Sequence, residues 1–191
     1  MNQKTEQKLK SREAILASAA ALLRERGIKA SSVTDVMKGA GLTVGGFYNH
    51  FASKEQLFAE TVRSGASELW YRLLSSAAGD SPRERAVSVV RRYLSRKHRD
   101  NAEGGCLLPS AAPEIAREGE PYRGALEAEL SGFVASFANV LDGGAESRQR
   151  AVGLIALMYG ALSLSRAVAG TPLSDEFLRA AKKLGERALA D

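Results

Sequence analysis

The spacing of apolar residues is the feature of this sequence that most restricts its fold. Nowhere do β-branched and aromatic residues alternate with polar ones over more than a few positions, which is the pattern of a half-buried strand. Ala, Leu, Arg and Glu instead recur at helical spacing, and these residues have high intrinsic helix propensity. The sequence therefore predicts an all-α protein.

The first 52 residues predict a head of three short helices. A first helix between Ser11 and Arg26 has one apolar face and stops at Gly27. Ser32, with Asp35 three residues later, predicts the capped start of a second helix of about two turns. A third short helix is expected after Thr43. Two short helices that meet at residues 40–42, with a third before them, are typical of a helix-turn-helix.

Beyond residue 63 the pattern changes from short to long helices. Ser53 and Gln56 fit a capping box at the start of the next helix. The pattern predicts two domains, a head over residues 1–52 and a larger helical domain over residues 53–191. The expected helices of the larger domain cover roughly 53–78, 82–100, 109–118, 121–141, 147–169 and 174–190.

Composition excludes several classes of protein and site. A single cysteine excludes an intrachain disulfide, and with only two histidines no cluster has metal-ligand spacing. We expect no metal and no cofactor. The first residues are polar, unlike a secretory signal, and no window approaches 18 uninterrupted apolar residues, so we expect no membrane span and a cytoplasmic protein.

Net positive charge is concentrated in the head. The chain carries +5, of which residues 1–63, with ten Lys and Arg against six Asp and Glu, contribute +4. An excess of this sign in one region favours an anionic partner such as nucleic acid.

The predicted third helix has small and hydrogen-bonding residues that suit insertion into a major groove. Gly45 and Gly46 each cost helix propensity, which indicates a need for close approach to a partner. Phe47 and Phe51 are four residues apart and are expected to anchor the helix to the core. Candidate phosphate contacts are Thr43, Tyr48, His50 and Lys54, and candidate base-edge contacts are Thr43, Val44 and Asn49.

Residues 12–58 resemble the DNA-binding head of the TetR family of bacterial transcriptional regulators. The resemblance is carried above all by VTDVM (33–37) and AGLTVGGFYNHFASKEQL (40–57). It implies a recognition helix over residues 43–49 and phosphate contacts at Tyr48, His50 and Lys54. Val44 stands where the family often has a basic residue. The resemblance also implies a homodimer with a helical domain that binds a small effector.

Two apolar stripes in the larger domain predict the dimer interface. One stripe includes Val152, Ala156 and Tyr159, and the other includes Phe177 and Leu184. Two such helix pairs, one from each subunit, would form a four-helix interface, and two-fold symmetry suits a palindromic operator. Candidate effector-binding residues are Trp70, Tyr93, Cys106, Phe133, Phe137 and Met158, although a plain core role is the simpler interpretation for each of them.

These observations predict a ligand-responsive repressor that releases double-stranded operator DNA when a small effector binds. Two alternatives stay open: a helical interaction module without specific DNA binding, and a repressor that senses redox state or electrophiles through Cys106. An enzyme with Cys106 as nucleophile and His98 as base lacks an orienting group and an oxyanion site, so we expect no enzyme.

Overall fold

The computed structural model describes residues 2–101 and 104–190. Within these ranges the regular structure is entirely helical, which confirms the all-α prediction. The helices are α1 Gln3–Arg26, α2 Val33–Gly39, a 3-10 helix Val44–Asn49, α3 Lys54–Ser75, α4 Pro82–Tyr93, α5 Arg96–Asp100, α6 Leu108–Glu118, α7 Tyr122–Val140, α8 Gly144–Ala167 and α9 Pro172–Ala188. None of these helices is long and apolar enough to cross a membrane.

Two predicted helix boundaries were wrong. The first helix begins at Gln3 rather than near Ser11, because the side chain of Asn2 caps it by accepting a hydrogen bond from the backbone N–H of Lys4 (3.3 Å). The helix predicted over 82–100 is two helices, α4 and α5. The hydroxyl of Ser95 accepts from the backbone N–H of His98 (3.1 Å), and this bond caps a new helix where a single continuous helix was predicted.

The chain divides into two compact units. Unit 1 contains the residues up to Ala66 together with Cys106–Ala128, and unit 2 contains Ser67–Gly105 together with the residues from Glu129 onward. The sequence predicts a different division, a DNA-binding domain over residues 1–52 and an effector-binding and dimerisation domain over residues 53–191. That division is defined by function and stays a prediction.

In unit 1, α6 packs against the carboxyl end of α1 and the turn that follows it. The Ser110 hydroxyl donates to the carbonyl of Arg24 (2.8 Å). The carboxylate of Glu114 accepts from the backbone N–H groups of Ile28 and Lys29. Gly27 has a positive φ of 83°, and a Cβ there would lie 2.6 Å from that carboxylate. The positive φ of this turn favours glycine at residue 27, and the absence of a Cβ leaves room for the Glu114 carboxylate.

In unit 2, an arginine network holds α5 to α8 and α9. Arg99 donates to the hydroxyl of Ser174 (2.9 Å) and to Asp175 (2.8 Å). Arg166 donates to the carbonyls of His98 (2.8 Å) and Arg99 (3.1 Å). Arg99, the last residue of the cationic run RKHR (96–99), therefore has a structural role in unit 2.

Candidate nucleic-acid interface

The turn between α2 and the 3-10 helix has the hydrogen bonds of a Schellman motif. The backbone N–H of Leu42 donates to the carbonyl of Met37 (2.9 Å), and that of Gly41 donates to Lys38 (3.1 Å). Gly41 has a φ of +69°, as this motif requires. The cap of α2 was also predicted correctly: Ser32 accepts from the Asp35 N–H (3.1 Å), and the Asp35 carboxylate accepts in return. This local chemistry fixes where the following segment starts.

The segment after the turn is a 3-10 helix, Val44–Asn49, which corrects the predicted α-helix. The backbone N–H of Gly46 donates to Thr43 (3.1 Å) and that of His50 to Phe47 (2.9 Å), both across three residues. Two adjacent glycines in six residues disfavour the α conformation. Thr43 occupies the N-cap position, but its hydroxyl makes no capping hydrogen bond.

Aromatic side chains seat the 3-10 helix on the core of unit 1, as predicted. Phe47 and Phe51 are only 1% and 2% exposed, and their rings stack with centroids 5.9 Å apart. Tyr48, between them, is 75% exposed and meets Phe47 edge to face at 5.2 Å. The other exposed residues of this segment are Thr43, Val44, Gly45 and Asn49. The segment therefore presents the predicted contact residues to solvent.

The two glycines of this segment are not required by packing within the chain. A Cβ at Gly45 would meet nothing within 4 Å, and one at Gly46 would meet atoms of Met37 and Thr43 at an ordinary 3.9 Å. Neither has a positive φ. Packing and backbone conformation within the chain therefore do not account for their cost in helix propensity.

Lys54 and His50, at the two ends of the next turn, are half-buried. Lys54 begins α3, and its Nζ lies 5.7 Å from the ring centroid of Phe58. Capping hydrogen bonds fix this start, because Ser53 accepts from the Gln56 N–H (3.1 Å) and the Gln56 side chain accepts from the N–H of Ala52 (2.6 Å). The predicted box is therefore formed, with its return bond displaced by one residue.

The imidazole of His50 is close to two cations. Burial lowers the pKa of His50, and the charges of Lys8 and Arg12 lower it further. The Nδ1 atom is buried and has no hydrogen-bond partner among the described residues. Arg12 lies over the ring of Phe51 at 4.7 Å and pairs with Glu60, the second of its bonds being 2.6 Å long. His50 is therefore a neutral group in a cationic setting near pH 7.

We expect the stability of the protein to fall as the pH drops below about 6.5, the ordinary histidine pKa. Burial lowers the pKa of His98 as well as that of His50, and these are the two histidines of the sequence. Below pH 6.5 the two histidines bind more protons in the unfolded chain than in the folded one. The free energy of unfolding is therefore unaffected by their titration above that pH and decreases on acidification. Urea unfolding of wild type and of His98→Asn between pH 7.5 and 5 measures this.

The variant should show a shallower decline than the wild type. Asn keeps a donor for the Tyr93 carbonyl, which lies 2.7 Å from His98 Nδ1, but does not titrate. Parallel curves for the two proteins would contradict the assignment to His98.

Four of the predicted effector-binding residues lie together in unit 2. The rings of Trp70 and Phe133 stack with centroids 3.7 Å apart, with Tyr93 stacked on Trp70 (5.7 Å) and Phe137 on Phe133 (5.8 Å). Together with Met158 they are at most 4% exposed. The buried indole N–H of Trp70 has no hydrogen-bond partner among the described residues. The arrangement is a packed aromatic cluster with an unsatisfied donor, and its effector role stays a prediction.

Cys106 belongs to unit 1 and is 3% exposed, next to buried Leu107 and Leu108. Its place among the effector-binding residues stays a prediction, and its sensor role stays an alternative. Sequence reasoning missed Lys4 and Lys8, which lie beside His50 across an open cleft. Their spacing of four residues places both on one face of α1, but the predicted start of the first helix near Ser11 left them outside it.

Comparison with known proteins finds relatives of the part of the chain that contains the 3-10 helix. Residues 15–61 match the family described as "Bacterial regulatory proteins, tetR family". The HTH-type transcriptional repressor NemR of Escherichia coli is 27% identical over 173 residues, which cover 84% of this chain and 85% of NemR. The repressor KstR2 of Mycobacterium tuberculosis is 47% identical over 49 residues, 26% of this chain and 24% of KstR2.

Solved structures share the fold over nearly the full length. The reduced form of E. coli NemR matches with a TM-score of 0.79 at 23% identity, covering 93% of this chain and 96% of that one. A TetR transcriptional regulator from Chloroflexus aurantiacus matches with a TM-score of 0.81 at 22% identity, covering 97% of each chain. At these identities the likeness shows that the fold is shared.

Proposed function

Because residues 15–61 make this chain a member of the tetR family of bacterial regulatory proteins, we propose that it is a ligand-responsive transcriptional repressor that binds operator DNA. Its relatives NemR and KstR2 are repressors, and the aligned part of KstR2 is confined to about a quarter of the chain. We also propose that it is cytoplasmic, because a bacterial protein that binds operator DNA works where the chromosome is.

The observation that carries the proposal is the exposed face of the 3-10 helix. Phe47 and Phe51 are buried in the core and anchor the segment, while Thr43, Tyr48 and Asn49 are exposed to solvent. Gly45 and Gly46 leave the backbone open to an approaching surface. A segment that is anchored to the core, exposes hydrogen-bonding side chains and carries two glycines suits the edges of base pairs in a major groove, with phosphates on its flanks.

We further propose that the protein is a homodimer held by α8 and α9. Four large apolar side chains on these helices are 47–54% exposed: Val152, Leu164, Leu173 and Leu184. Such a concentration of exposed apolar surface marks a protein interface. Between the first two of these, a Cβ at Gly153 or Gly160 would meet nothing within 4 Å, so another helix can approach closely. A second copy supplies the same apolar and small surfaces and makes a two-fold interface.

The effector is proposed to act by shifting the distance between the two heads of the dimer. Operator affinity falls by the factor by which the effector prefers the state with unsuitable head spacing. The aromatic cluster around Trp70 is the proposed binding region, because the unpaired indole donor there would be satisfied by an acceptor on a ligand. Helix α3 has residues in both units and is the proposed route of coupling.

The two alternatives gain no separate support. A redox or electrophile sensor would use Cys106, which is buried in unit 1, and that burial does not favour a reactive thiol. An interaction module without DNA binding leaves the open backbone at residues 45 and 46 unexplained.

Selection from a pool of random duplexes tests the proposed function. We expect the purified protein to enrich a palindromic sequence whose binding weakens steeply with salt. Lys54→Gln should make the slope of log affinity against log salt shallower by about 0.9 per protomer. Lys29→Gln, an exposed lysine of the same unit, is the matched control and should leave the slope unchanged. No enriched sequence, or binding indifferent to salt, would refute DNA recognition.

A further inference from the structure

The first turns of α1 and the end of the 3-10 helix line an open cleft of about 870 Å³ in unit 1. Every side chain that lines it is polar, and none is a carboxylate. A cleft without apolar walls does not suit an apolar effector, and one without carboxylates does not suit a cation. The lining residues that matter here are Lys4, Gln7, Lys8, Ser11, Asn49 and His50.

The cleft carries the uncompensated positive charge of α1. On the first half of this helix, Lys10 pairs with Glu6 (2.8 Å) and Arg12 pairs with Glu60. Lys4 and Lys8, in contrast, form no ion pair with any carboxylate of the described residues. They are four residues apart, so both lie on the face of α1 that lines the cleft. The charge is therefore directed at one place rather than spread over the helix.

The cleft is continuous with the surface proposed to bind the major groove. Asn49 and His50 line it and also end the segment that presents Tyr48 to solvent. The phosphate backbone runs along both edges of that groove, so a surface beside the recognition segment meets phosphates first. Ammonium, amide and hydroxyl donors of the kinds found here are those that bind phosphate oxygens.

We propose that this cleft is a second DNA-backbone site, in which Lys4 and Lys8 of each protomer neutralise phosphates flanking the recognition segment. The proposal rests on the proposed function, because it assigns more of the same DNA interface to residues outside the helix-turn-helix. Phosphate contacts of this kind add affinity and fix orientation on the duplex without reading sequence. Each lysine that neutralises one phosphate steepens the salt dependence by about 0.9.

The double variant Lys4→Gln/Lys8→Gln tests this site, with Lys10→Gln/Lys29→Gln as the control that removes the same charge from the same unit. The probe is the duplex enriched by wild type, and its affinity is measured from 50 to 200 mM KCl. We expect the slope of the Lys4/Lys8 variant to be shallower by about 1.8 per protomer. Its loss of affinity over that range is then about tenfold smaller per protomer than that of wild type.

Four further results decide the interpretation. The preference for the enriched duplex over a scrambled one should stay unchanged, because the lost contacts carry no sequence information. Lys4→Arg/Lys8→Arg should keep the wild-type slope, which excludes a change in the fold as the cause. Equal slopes for the two glutamine variants would overturn the proposal. If wild type enriches no duplex at all, the proposed function itself fails, which is a different outcome.

Discussion

Phe47→Ala should lower the free energy of unfolding by about 3–5 kcal/mol, the cost of deleting a buried aromatic side chain. The ring of Phe47 is 1% exposed and stacks on Phe51, so its loss leaves a cavity behind the 3-10 helix that the backbone cannot easily fill. DNA binding should also be lost, because the 3-10 helix is no longer anchored to the core. Urea unfolding followed by circular dichroism, with duplex binding in parallel, measures both effects.

Tyr48→Ala is the matched control, because it removes the neighbouring aromatic side chain from the solvent face. Tyr48 is 75% exposed, so stability should change by at most about 1 kcal/mol, the energy of its ring contact with Phe47. Duplex affinity should nevertheless fall, because a proposed phosphate contact is gone. Equal stability of the Phe47 and Tyr48 variants, or unchanged duplex affinity of the Tyr48 variant, would contradict the assignment of Phe47 to the core and of Tyr48 to the DNA-binding face.

Leu184→Glu should convert the proposed dimer into a monomer and weaken operator binding by about 10²–10⁴-fold, the usual gain from linking two binding modules. Leu184 is 54% exposed on α9, and a carboxylate there would be buried without a partner when two copies associate. The folded monomer should lose little stability, because the side chain is largely solvated within one chain. Sedimentation equilibrium gives the mass, and titration of the enriched duplex gives the affinity.

Lys183→Glu places the same carboxylate one residue earlier, away from the exposed apolar stripe of α9. It should leave the dimer intact. Lys183 lies on the side of α9 that, with Arg91 and Arg179, lines a charged cleft in unit 2. A Leu184 variant that remains dimeric, or a Lys183 variant that dissociates, would place the interface elsewhere.

Sequence reasoning succeeded where local chemistry decides the structure. The cap at Ser32 and the stop at Gly27 depend on residues a few positions apart, and both are present as predicted. The break at Ser95 was missed because residues 95–100 contain no glycine or proline that would mark a helix boundary. The bonds of Arg99 to Ser174 and Asp175, which hold α5, join residues about 75 positions apart. Periodicity carries no information about such distant partners.

The candidate site shows the same limit. The aromatic anchors and the exposed positions follow from spacing within eight residues, so the sequence predicts them. The 3-10 geometry was missed because the difference between three- and four-residue hydrogen bonding is small, and it depends on the two glycines in their local setting. The cleft between α1 and His50 was missed because it joins parts of the chain that are distant in sequence.

The bond between Glu114 and the turn after α1 bears on any attempt to exchange modules between relatives. A recombinant hybrid that transplants residues 1–66 alone would take the Ile28 and Lys29 amides away from the acceptor that α6 supplies. It would also separate the Arg24 carbonyl from Ser110. The transferable piece is therefore discontinuous in the gene, two stretches of coding sequence that must be moved as a pair.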